Sequence, residues 1–289
     1  MKKLLILSLF LVSTLSVLSS QEVPADSLKT TADKVQPVPD AAVVADDMSK
    51  YQLETDDISK NFIKLNLTSL AILNFSLQYE RVFSRSVSGA LSFAYMPENT
   101  IPTYIADEAI KQIDKNSDEG IDPEAEDIIR GMLISSYSVT PEVRFYLGKK
   151  RYSTGFYISL FYRYGSYSFS NIPIPYTNDL DEDITIDTRG DIISHSGGFL
   201  LGYQWALGKR MCLDWQIFGP HYGVSSGDFL GIPSSPLSQQ DQSDIEEEFL
   251  KVESSLVEQT IDATADEVKM LIDGPWGGMR FAVTLGVKF

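Results

Sequence analysis

MRFAVTLGVKF, Met279 to Phe289, is the stretch that decides the fold. Met279, Phe281, Val283, Leu285, Val287 and Phe289 alternate with Arg280, Ala282, Thr284, Gly286 and Lys288. A strand turns successive side chains to opposite faces, so this period of two makes one apolar face and one face of small and charged groups. A chain of net charge −16 thus closes on a strand whose apolar face must be buried or placed in lipid.

The same alternation recurs upstream. Ile63, Leu65 and Leu67 oppose Lys64 and Asn66, and Phe75, Leu77 and Tyr79 oppose Gln78 and Glu80. Further segments run through Val87 to Tyr95, Tyr137 to Leu147, Phe156 to Tyr164, Phe199 to Trp205 and Met211 to Ile217. With the last strand this predicts eight strands, many of them of about 9 to 12 residues, longer than the usual ~5 to 6 and long enough to cross a bilayer when tilted. Short basic turns at Ser84 to Ser86, Gly148 to Arg151 and Gly208 to Arg210 alternate with longer acidic connections, except for a short link near Leu70 to Leu73. The pattern predicts an all-β fold: an eight-stranded antiparallel up-and-down transmembrane β-barrel with long, partly helical extracellular loops at about 96–135, 170–192 and 224–276.

Upstream of the barrel domain, 58–289, Lys2 and Lys3 precede an apolar run to Leu18 and small residues at Ser19 and Ser20, a signal peptide over 1–20. Residues 21–57 are acidic and proline-containing and read as a flexible periplasmic tail. Cys212 is the one cysteine, so no disulfide framework is available. The three loops carry −7, −5 and −10, leaving the rest of the chain at +6. No cluster of Lys and Arg suits a phosphate backbone, so nucleic acid is excluded as a partner.

The alternating end with Leu285, Val287 and a final Phe289 resembles the carboxy-terminal signal read by the barrel assembly machinery of the outer membrane. TPEVRFYLG (Thr140 to Gly148), the following STGFYISLFYRYGSYSF and GGFLLGYQWALGKRMCLDWQIFGPHYG (Gly197 to Gly223) resemble a Gram-negative family of small outer-membrane barrels catalogued as a domain of unknown function. Pro141, Glu142, Arg144, Tyr146, Gly202, Tyr203 and Asp214 carry that resemblance, while NLTSLAILN in the first strand departs from it. The resemblance implies an outer-membrane location with both termini periplasmic, outer-membrane lipids and lipopolysaccharide as neighbours, and no reaction.

Four features bear on chemistry. Glu80, Glu142, Arg144, Arg163, Asp214, Arg280 and Lys288 are mixed in sign on the polar faces, a set that could pair across a narrow lumen. Asp114, Asn116, Asp118, Asp122 and Glu126 approximate a calcium loop, with Ca2+ as the cofactor; Glu119 at the position that needs glycine and Ala125 at the last ligand position argue instead for a solvated acidic loop. Helical spacing predicts a long helix from about Leu237 to Ile272, whose apolar stripe would pack on the first loop or receive an extracellular protein partner. His195 lies between Ser194 and Ser196, which with an acid such as Asp191 or Asp228 would be the makings of a lipid A acyl-modifying hydrolase. Parity places His195 opposite its serines, so no catalytic residues are expected. The expected function is a non-enzymatic outer-membrane barrel that anchors acidic loops for envelope structure or for ligand or partner binding, with divalent cations among the candidate ligands. A lipid-modifying barrel enzyme and a secreted soluble β-barrel binding protein stand as the alternatives.

Overall fold

The computed structural model describes residues 60–101, 103, 106–107, 110–111, 122–147, 153–250 and 257–289. The signal peptide at 1–20, the tail at 21–57 and three of the calcium-loop positions, Asp114, Asn116 and Asp118, lie outside the described residues.

Among the described residues nine strands form one antiparallel sheet: β1 (Asn61–Asn66), β2 (Phe75–Val82), β3 (Val87–Thr100), β4 (Leu133–Tyr146), β5 (Gly155–Thr177), β6 (Asp183–Leu207), β7 (Met211–Pro233), β8 (Glu258–Ala263) and β9 (Val268–Lys288). Neighbours in sequence pair from β1 to β7, and β7 then pairs with β9. The sheet closes on itself where β1 meets β9, from Phe62 opposite Lys288 to Asn66 opposite Thr284. Closure removes the free edges that would otherwise invite strand pairing between molecules. β8 pairs only with the outer end of β9, Glu258 opposite Asp273 to Ala263 opposite Val268, so it is appended to the ring. Among the described residues eight strands, β1 to β7 and β9, therefore make the ring, and β8 is a ninth strand outside it.

β5, β6, β7 and β9 have 23, 25, 23 and 21 residues, about twice the expected length. Much of what reads in the sequence as loop is strand. The segment 170–192 is a hairpin whose strands run to Thr177 and resume at Asp183. The long helix expected from Leu237 to Ile272 is replaced by a 12-residue helix, a short strand and the start of β9. Val268, Met270 and Ile272 are buried while Leu271 is exposed, so the operative period is two. Pairing with β7 and β8 outweighs the weak helical spacing, as tertiary context usually does for short apolar runs. Leu67, expected in the first strand, instead opens a single helical turn, α1 (Leu67–Leu70), because the Asn66 side chain accepts the N–H groups of Thr68 and Ser69.

Longer helices sit at the end of the ring away from the short turns. In α2 (Pro123–Gly131) Asp122 caps the first turn and Ala125 and Ile129 are buried. In α3 (Gln239–Leu250) Ser238 and Asp241 form a reciprocal cap: the Ser238 N–H donates to Asp241 Oδ2 at 3.1 Å and the Asp241 N–H to Ser238 Oγ at 3.1 Å. Asp241 Oδ1 also accepts the Asp179 N–H at 2.9 Å and the Tyr176 hydroxyl at 3.2 Å, which ties α3 to the β5–β6 turn. Burial alone would raise the Asp241 carboxyl, but hydrogen bonds from Ser238, Asp179 and Tyr176 outweigh it and hold the group below its usual range. A depressed folded value contributes stability above the unfolded value of about 3.9 and loses it as pH falls through the folded one. Asp241→Ala is expected to cost this junction about 1–2 kcal/mol. Hydrogen exchange should show lost protection in α3 with the rest of the sheet unchanged, and wild type should lose the same protection below about pH 4. Unchanged protection of α3 in the variant would refute the cap's role.

Candidate functional site

The alternation that builds each strand also builds an interior whose chemistry reverses along the ring axis. In the half that holds the short turns and the Asn61 and Phe289 ends, buried positions are polar: Lys64, Gln78, Glu80, Glu142, Arg144 and Asp214. The outward positions there are large and apolar, including Leu160 at 60% exposure, Phe93 at 51% and Leu77 at 53%. In the other half the order inverts. Ile134, Tyr167, Phe169, Ile172, Phe229 and Trp276 are buried inside one continuous cluster. Ser166, Ser168 and Ser170 on β5, Asp187, Arg189 and Asp191 on β6 and Ser226 and Asp228 on β7 take the outward positions.

The outward change occurs at one level on adjacent strands. Tyr95 pairs with Tyr137 across β3 and β4, Tyr137 lies 6.0 Å from Tyr164 between ring centroids, and Tyr164 pairs with His195. Tyr162 hydrogen-bonds His195 Nδ1 from the same strand, and Tyr222 on β7 is 72% exposed. A second aromatic row lies near the short turns: Phe156 packs 5.1 Å from Tyr203, which lies 4.5 Å from Trp205, itself 6.4 Å from Trp215. The exposed apolar belt lies between the two rows.

Behind the belt is an ion-pair network. Lys64 Nζ donates to Glu80 Oε2, to Gln204 Oε1 at 2.6 Å and to Asp214 Oδ2 at 2.8 Å. Arg144 spans the ring, reaching Glu142 Oε1 at 2.7 Å, Asp214 Oδ2 at 2.6 Å, Gln78 Oε1 at 2.9 Å and Glu80 Oε2 at 3.3 Å. Its guanidinium lies 4.6 Å from the centre of the Tyr157 ring. The Tyr146 hydroxyl donates to Glu80 Oε1 at 2.8 Å and that of Tyr157 to Asp214 Oδ1 at 2.7 Å. Gly202 makes room for Tyr157, since a Cβ there would fall within the phenol ring's contact distance. Arg280 extends the set to Glu142 Oε2 at 3.4 Å and Gln216 Oε1 at 3.1 Å.

Of the seven polar positions expected in the lumen, five are joined here: Glu80, Glu142, Arg144, Asp214 and Arg280. Arg163 lies on a cavity wall beside Arg280, and Lys288 lies near the inner end with its Nζ 5.8 Å from the Phe62 ring. Lys64, Gln78, Gln204, Tyr146 and Tyr157 complete the network although the sequence pattern did not single them out. Their signal was present: each alternates with an outward apolar neighbour. At the other candidate sites, Asp122 caps α2 and Glu126 pairs with Arg130 at 2.6 Å. Among the described residues no group of three or more His, Cys, Asp or Glu is placed to hold a metal ion. Ser194 and Ser196 are buried inside while His195 faces outward, and Asp191 accepts from Ser168. Val287 and Phe289 are exposed on the outward face of the last strand, with Leu285 half-buried beside them.

A family profile described as "Protein of unknown function (DUF3575)" matches residues 48–225, more than half of the 289-residue chain. The chain belongs to this family. The DUF3575 match takes in Lys64, Glu80, Glu142, Arg144 and Asp214 and ends within β7, before β8 and the closing strand β9. No curated protein matches the chain. Among the described residues no helix is long and apolar enough to cross a membrane.

Proposed function

We propose that this DUF3575 protein is a non-enzymatic outer-membrane β-barrel that anchors an acidic head outside the bilayer, for envelope structure or for binding a ligand or partner there. One observation carries the reading: an exposed apolar belt, bounded by two aromatic rows, encloses a buried ion-pair network. A soluble barrel puts its apolar face inside, and here the half with the belt does the reverse. In water the whole belt of large apolar side chains would be hydrated at a cost, whereas lipid accepts it and the aromatic rows suit the two interfaces. His195 to Trp205 spans ten residues on β6; at ~3.3 Å per residue and a tilt near 40° that is about 25 Å, the height of the apolar band in such barrels.

The network then explains how so narrow a lumen is filled. A closed sheet of this size has room for side chains only, and the polar ones pair with one another. Beyond the belt the strands continue as a water-facing extension with an apolar core, which is the usual arrangement of a soluble domain. That extension carries the acidic surface, where lipopolysaccharide or a protein partner would be met. The opposed placement of His195 and its serines supports a binding or structural role over hydrolysis.

Membrane fractionation tests the reading, combined with electrophoresis of heated and unheated samples. The protein is expected in the outer-membrane fraction, with an unheated band that migrates differently from the boiled one. Recovery in the aqueous soluble fraction would overturn the assignment.

A further inference from the structure

The wall of the ring has a seam. β1 ends at Asn66 opposite Thr284, and the chain then leaves through α1 and the turn at 71–73, so that β2 starts only at Phe75. β9 continues past Thr284 to Val268. From 274 to 283 it has β7 on one side and, among the described residues, no strand on the other. α1 packs across part of the gap.

A cavity lies directly behind. Asn66 and Ser76 line it at the seam, and Arg163 and Arg280 line it deeper in. Phe281 also lines it, although Phe281 shares the outward parity of Val283, Leu285 and Val287. The cavity thus lies beside the unpaired edge of β9.

Its charge is unbalanced. In the network beneath, Lys64, Arg144 and Arg280 face three carboxylates, Glu80, Glu142 and Asp214. Arg163 is a fourth cation. It makes no ion pair among the described residues, its Nε is buried without a hydrogen-bond partner, and the cavity lining contains no Asp or Glu. Arg163 is half-buried; a guanidinium nitrogen withdrawn from water without a partner is costly, and a bidentate oxyanion is the group that suits the fork. Arg163 sits between Tyr162 and Tyr164, level with the aromatic row, which is headgroup depth in the outer-membrane reading. About 40 Å³ is open to the centres of water-sized molecules, room for a few waters or one small oxyanion but not for an acyl chain.

We infer that this cavity binds the anionic headgroup of a membrane amphiphile, a phosphate or carboxylate that enters sideways through the seam while its hydrocarbon stays outside against the apolar belt. The inference rests on the outer-membrane reading.

Calorimetry on the purified full chain, folded in zwitterionic micelles, tests it with dihexanoyl phosphatidylglycerol, hexanoate, dihexanoyl phosphatidylcholine and inorganic phosphate as probes. An anionic amphiphile is expected to bind and phosphatidylcholine not to. Preference between phosphatidylglycerol and hexanoate identifies the headgroup. Arg163→Gln should weaken binding about tenfold or more, with Arg163→Lys partly restoring it. Ala94→Leu, which fills the cavity without altering a charge, should weaken binding too and guards against a folding defect in the arginine variant. Equal binding of phosphatidylcholine, phosphate alone binding as tightly, or affinity unchanged in Ala94→Leu and Arg163→Gln would each overturn the inference. A barrel that is heat-modifiable yet binds no anionic probe refutes the site alone, whereas protein found in the aqueous fraction refutes the membrane reading beneath it.

Discussion

Arg144→Met is expected to destabilise the barrel by about 3–5 kcal/mol, read from urea titration of the protein folded in lipid vesicles. The magnitude follows from the charge left behind more than from the hydrogen bonds that the arginine itself makes. Arg144 is fully buried and satisfies Glu142, Asp214, Glu80 and Gln78 at once. Without it, Lys64 and Arg280 face three carboxylates in a lumen that water barely enters, so one buried negative charge goes unpaired. Arg144→Lys should lose less, since it keeps the charge but not the fork that reaches four partners. Adding Asp214→Asn to Arg144→Met should recover part of the loss by removing the surplus charge, and the double-mutant cycle measures that coupling. A loss below about 1 kcal/mol for Arg144→Met would mean that the network is not the keystone of the lumen.

Much of this architecture is legible in the sequence. Period-two alternation locates the strands of the inner half of the ring and assigns Glu80, Glu142, Arg144, Asp214 and Arg280 to the face that proves to be inside. Parity is a local property, so a sequence carries it directly. The partners of those residues are not local. Lys64 meets Asp214 across 150 positions, a distance fixed by ring closure and by register on every intervening strand.

The outer half misleads for a physical reason. The apolar and polar faces exchange between inside and outside near Tyr164, yet the inward parity of β5 continues from Tyr157 through Tyr167 and, past a shift in register, to Ile172, Ile174 and Tyr176. Composition there, rich in serines and acids, points to loops. Parity alone carries the same strand through the exchange of faces. The segment 257–272 misleads further because Ile261, Val268 and Leu271 also fit helical spacing, and only pairing with β7 and β8 breaks the tie.

That exchange of faces yields the sharpest comparison between a membrane barrel and a soluble one. Leu160 and Thr185 are both exposed and both lie on strands of the same hairpin, Leu160 within the apolar belt and Thr185 beyond it. If water surrounds the whole ring, arginine at either position is a surface substitution worth under ~0.5 kcal/mol. If lipid surrounds the belt, Leu160→Arg is expected to cost about 2–4 kcal/mol, depending on its depth, while Thr185→Arg remains near zero. Measuring both by urea titration in the same vesicles cancels effects of the lipid and of the unfolded reference. The difference between the variants, rather than either value, is the quantity that decides. A difference near zero would place water against Leu160, and the buried ion pairs would then need an origin other than a lumen enclosed by lipid.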